Sequence, residues 1–157
     1  MLTFQQGETK AQVLKRLEEH RKADRIVQGQ YWEYVRWRRG WSGCAVGCLT
    51  ESRRTPGHQR FPKLWGIPTR LAYICEDIFE GLPREEAAQW PERFISAIPE
   101  GVDLSEVVEQ FQLKLSWSRT ADHLLALLAA TRQQLPDDKK LILPLAIDKS
   151  EPADLTA

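Results

Sequence analysis

The chain has 157 residues, 42% hydrophobic and 28% charged, with 22 Lys or Arg balancing 22 Asp or Glu. That suits one globular domain able to bury its own core. Three cysteines argue against a disulfide framework, and no apolar run reaches the roughly 18 residues of a membrane span. The N-terminal residues lack the basic and apolar regions of a signal peptide, so the expectation is a cytoplasmic protein with no membrane partner.

Residues 8–28 read as a helix, with Val13, Leu17, Ala23 and Val27 at helical spacing, Thr9 as cap and Gly29 as stop. Residues 30–66 read as an irregular stretch or a set of short helices. Tyr31, Trp32, Tyr34, Val35 and Trp37 are β-prone but do not alternate with polar residues, and five of the nine glycines fall here. Residues 44–49 read as a short helix. After Pro68, the stripe Leu71, Ile74, Cys75, Ile78, Phe79 and Leu82 predicts a helix ended by Gly81 and Pro83. Residues 84–98 form another, which Trp90-Pro91 is expected to kink or split. Asp103 opens a helix with a capping-box pattern to Glu106, and Ser118 or Thr120 opens the last, which its leucines mark as central. Residues 141–147 are apolar enough to dock as an extended tail, and 148–157 are expected to fray.

These elements predict an all-α fold: one helical bundle of about five helices over residues 1–147, with a flexible tail at 148–157. The core is expected around the 104–115 and 124–135 pair, with the Trp/Gly-rich segment 30–66 across one end.

Charge is segregated along the chain. Residues 31–70 hold eight Lys or Arg against Glu33 and Glu51, whereas residues 71–157 hold eight against 16 acids. The basic segment either packs on the acidic part of its own chain or meets an anionic partner. Within it Trp32, Trp37 and Trp41 interleave with Arg36, Arg38 and Arg39. That mixture serves protein interfaces, cores and single-stranded nucleic acid alike.

Cys44 and Cys48 stand at i, i+4, and His58 follows in a Cys-x3-Cys-x9-His pattern. The pair reads as buried hydrophobes in a tight Gly/Ala turn, as ligands of a metal such as zinc with His58 or Glu51, or as reactive thiols. His20 and Asp24 fall on the inward arc of the first helix, where Asp24 can orient the imidazole. Convergence of His20, Asp24, Cys44, Cys48 and His58 would assemble a metal centre or an activated cysteine, with Glu76 on the flank of its helix as a further candidate. Cys75, mid-stripe, reads as core.

Gly43-Cys-Ala-Val-Gly-Cys48, Gly66-Ile-Pro-Thr-Arg-Leu-Ala72 and Glu76-Asp-Ile-Phe-Glu-Gly-Leu-Pro83 resemble a group of uncharacterised bacterial proteins over about residues 27–116. In that group histidines follow the second cysteine. His58 matches one of them, and Glu51 stands where another is expected. The resemblance implies a shared fold and carries no activity.

Two functional readings stand. The preferred one is a small intracellular binding or regulatory module acting through the basic Trp-rich surface on a protein or nucleic-acid partner. The other is a metal- or thiol-dependent enzyme or sensor built on Cys44, Cys48 and His58, with His20 oriented by Asp24. No P-loop, Gly-x-Gly-x-x-Gly, His-Glu-x-x-His or Gly-x-Ser-x-Gly motif is present.

Overall fold

A computed structural model describes residues 1–53, 57–114 and 120–132; the side chains of Arg38, 112–123 and 131–132 fall outside that description. Helix α1 spans Lys10–Lys22. Thr9 and Gln12 cap it reciprocally, which satisfies two backbone N–H groups that a helix start leaves orphaned.

The helix stops earlier than the periodicity to residue 28 predicts. Ala23 closes it, and Asp24 turns left-handed at φ 51°. The physical reason is competition for hydrogen bonds. The Gly43 N–H donates to the Arg25 carbonyl at 2.9 Å and the Val27 N–H donates to the Gly43 carbonyl at 2.8 Å. Residues 25–27 are therefore drawn out as an extended segment beside Gly43.

Strands β1, Trp32–Val35, and β2, Gly40–Gly43, form an antiparallel hairpin with Trp32 opposite Gly43 and Tyr34 opposite Trp41. A 3-10 turn at Arg36–Arg38 and a left-handed Arg39, φ 49°, connect them. This hairpin overturns the all-α expectation. Among the described residues there are seven α-helices and a small two-stranded antiparallel sheet, so the fold is mixed α/β. Hairpin turns advertise themselves by Gly or Asn at left-handed positions, and here an arginine occupies that position.

Helix α2, Ala45–Thr50, is buried at all six positions and packs against α1, β2, α4 (Thr69–Gly81) and α5 (Arg84–Ala97). The 30–66 segment thus supplies the centre of the core, rather than a layer across one end. Two glycines permit this. A Cβ on Gly43 or Gly47 would overlap the Tyr31 carbonyl oxygen.

Helix α3, Phe61–Trp65, ends at a left-handed Gly66, φ 67°. Helix α5 runs on through Pro91, with no break at Trp90-Pro91, and the Trp90 indole N–H anchors it by donating to the Cys75 carbonyl at 2.9 Å. Helices α6, Ser105–Lys114, and α7, Thr120–Arg132, contact each other. The Asp103 carboxylate accepts the Ser105 N–H at 2.9 Å, two residues on, rather than the N–H of Glu106.

Two long-range side chains finish helix ends. The Gln28 amide donates to the carbonyls of Phe79 and Leu82 at the end of α4. The buried Lys10 ammonium donates to Ser96 and Ile98 at the end of α5, where a cation also meets the negative end of the helix dipole.

One hydrophobic cluster runs from Phe4 to Leu128. The expected docking tail at 141–147 and frayed end at 148–157 lie outside the described residues.

Candidate functional site

The hairpin runs from the buried Trp32–Gly43 pair to a turn that exposes Trp37. At its base Trp32 is buried, 8% exposed, and stacks on Trp41 with ring centroids 6.0 Å apart. Further out Tyr34 meets the edge of Trp41 at 5.7 Å and is 55% exposed. At the tip Trp37 is 78% exposed, and Arg36 and Arg39 beside it are exposed. The period-2 geometry of the strands explains this gradient, because Trp32, Tyr34 and Trp41 share one face that leaves the core as the hairpin extends.

Of the six residues of the sequence-based surface, Arg36, Trp37 and Arg39 stand on the tip and Trp41 is half-buried. Trp32 is a core anchor, and the Arg38 side chain lies outside the described residues. Arg53, one of the basic residues that follow in the same segment, joins them. Its guanidinium lies 3.9 Å from the Trp41 ring centroid, a cation–π contact.

The expected His20–Asp24 pair does not form. Asp24 is exposed beyond the helix end, and His20, 4% exposed, bonds instead through Nε2 to the Glu51 carboxylate at 2.9 Å. Its ring meets Trp32 edge-on at 5.3 Å. Burial pulls the His20 pKa below the ordinary imidazole range, against the opposing pull of Glu51. Glu51 reaches His20 from the end of α2, where it adopts a left-handed φ of 44°. No sequence pattern signals that contact, since the two residues come from different elements.

The thiols are packing groups. Cys44 caps α2, its sulfur accepting the Gly47 N–H at 3.4 Å, and Cys48 donates to the Gly43 carbonyl at 3.3 Å. Both are buried and free. Burial pushes the Cys48 thiol up to about 12, and burial together with the Glu76 charge pushes Cys44 higher still. A nucleophilic or metal-binding cysteine needs the opposite shift.

Glu76 does approach the pair, as its flanking position suggested. Its carboxylate accepts the Val46 N–H at 3.1 Å and the Cys44 thiol, while burial raises its pKa. Two of the quoted motifs therefore meet in a single packing contact.

His58 goes elsewhere and stacks on Tyr73 with centroids 4.1 Å apart. Among the described residues no group of three or more His, Cys, Asp or Glu is placed to hold a metal ion, so the Cys44, Cys48 and His58 zinc set is not assembled. Cys75 is fully buried, as its stripe position requires.

An open cleft of about 790 Å³ is lined by Glu8, Arg16, Thr50, Glu51, Arg53 and Arg60, among others. Arg16 forks onto Glu8 and donates to the Leu49 carbonyl at 2.7 Å, and Arg60 donates to the Thr50 carbonyl at 3.3 Å.

No described helix is long and apolar enough to cross a membrane. Comparison with protein-family models, with curated proteins and with solved structures finds no match for this chain.

Proposed function

We propose that this chain is a small intracellular binding module whose contact surface is the tip of the β1–β2 hairpin. Its partner on this reading is a protein with an apolar pocket rimmed by carboxylates. The observation that carries the reading is Trp37, 78% exposed and flanked by the exposed Arg36 and Arg39. Trp, Tyr and Arg are the residue types that dominate binding energy at protein interfaces.

Single-stranded nucleic acid is served by several open aromatic faces in succession. Here the Trp41 ring is already stacked by Trp32 and covered by Arg53, which takes it out of such a succession. That arrangement favours one inserted anchor over a tracked strand. The three free cysteines support a reducing compartment.

The test is affinity capture from cell extract with the wild-type chain and with Trp37→Ala, followed by titration of the purified pair across a salt series. A partner lost with Trp37→Ala, and bound more weakly as salt rises, supports the reading. Identical capture by both chains removes it. Trp37-dependent binding of a single-stranded oligonucleotide instead would reassign the surface to nucleic acid.

A further inference from the structure

We propose that the cleft between α1, the end of α2 and α3 binds a small zwitterion of the free α-amino acid class, its carboxylate on Arg60 and Arg53 and its ammonium on Glu51. The lining supports this by its charge layout. Arg16 is already committed to Glu8 through both guanidinium nitrogens. Arg60 makes a long bond to a backbone carbonyl, and Arg53 lies on the Trp41 ring. Two guanidiniums thus face the same space without a carboxylate in the ion pairs of the described residues.

Glu51 meets His20 through one oxygen, and its side chain stays 47% exposed. A simple anion in this cleft would face Glu51, and a simple cation would face the two arginines. A ligand carrying both signs answers both, and an arginine fork matches a carboxylate in shape as well as charge.

A second observation lies in the same cleft: Arg16, which lines it, keeps a buried Nε without a hydrogen-bond partner among the described residues.

The test is a thermal-shift and calorimetric screen of the full chain against the common free α-amino acids, with acetate and methylammonium as the separate halves. At least one amino acid is expected to stabilise and bind. Neither half alone should match it. Arg60→Gln and Glu51→Gln should each weaken binding by roughly tenfold to a hundredfold. Arg53→Gln, at an exposed position, provides the same reading if Arg60→Gln does not fold. Trp37→Ala should bind the amino acid like the wild type, which separates this site from the hairpin surface.

The proposal falls if no amino acid binds, if acetate binds as tightly as the best of them, or if the folded arginine and Glu51 variants bind unchanged.

Discussion

Trp37 stands 78% exposed at the hairpin tip, whereas Cys48, a little further along the same segment, is fully buried in α2. Both belong to a stretch whose unusual residues suggested a site. The tip keeps the character of a proposed contact surface because Trp37 is exposed among the described residues. Helix α2 loses that character because α1, β2, α4 and α5 pack around it, which converts its thiols into hydrogen-bonding core atoms. Rare residues close together therefore mark either a contact surface or a tight packing point, and burial separates the two.

The largest expected effect is on the packed side. Gly47→Ala places a Cβ on the Tyr31 carbonyl oxygen, a backbone atom with no rotamer to escape into. It should cost about 3 kcal/mol in urea unfolding. A wild-type midpoint would break the picture of α2 as the close-packed centre.

Next is Cys48→Ala, which removes a buried sulfur and its bond to Gly43, expected to cost about 1–2 kcal/mol. In the folded state Cys44 and Cys48 should resist iodoacetamide and react on unfolding. Rapid native-state alkylation would move α2 to the functional side of the comparison.

A pH effect sharpens the boundary between the two regions, where His20 links α1 to Trp32. Burial lowers the imidazole pKa of both His20 and His58 in the folded chain. The unfolded state therefore takes up its protons first, at about pH 6.5. The stability is complete above that value and is lost as pH falls toward the folded pKa. Each group contributes at most about 1.4 kcal/mol per pH unit. The raised carboxyl of Glu76 acts with the opposite sign, losing stability as pH rises through its ordinary range, so the His20 share must be read as a difference. His20→Gln should flatten the acid-side slope relative to wild type; parallel curves would remove the assignment.

The smallest expected effect is Trp37→Ala on folding, within about 0.5 kcal/mol. A larger loss would mean that the tip supports the fold rather than a partner.

The helical part of the fold was legible because amphipathic spacing is local. The stripe from Leu71 to Phe79 appears as the buried face of α4, and Thr9 announces the start of α1. The end of α1 was not legible. Val27 keeps the helical spacing, but its backbone is spent on Gly43, a residue far along the chain. The hairpin was hidden for a related reason, since Arg39 holds the left-handed position where a turn signal would show.

For the candidate site, the clustering of Trp37 with Arg36 and Arg39 was readable in the composition of the segment, and the exposure of Trp37 was not. The partners of His20 and Trp41 were not, because Glu51 and Arg53 arrive from the end of a helix whose position depends on the whole core.

By itself the sequence determined which faces are apolar, where most helices begin, and that basic and aromatic residues cluster in one segment. Periodicity, capping residues and charge are properties of neighbours along the chain. Tertiary structure alone decided that Cys44 and Cys48 are packed, that His58 lies with Tyr73, and that His20 meets Glu51. Burial and long-range hydrogen bonds set those outcomes, and both depend on which distant elements come together.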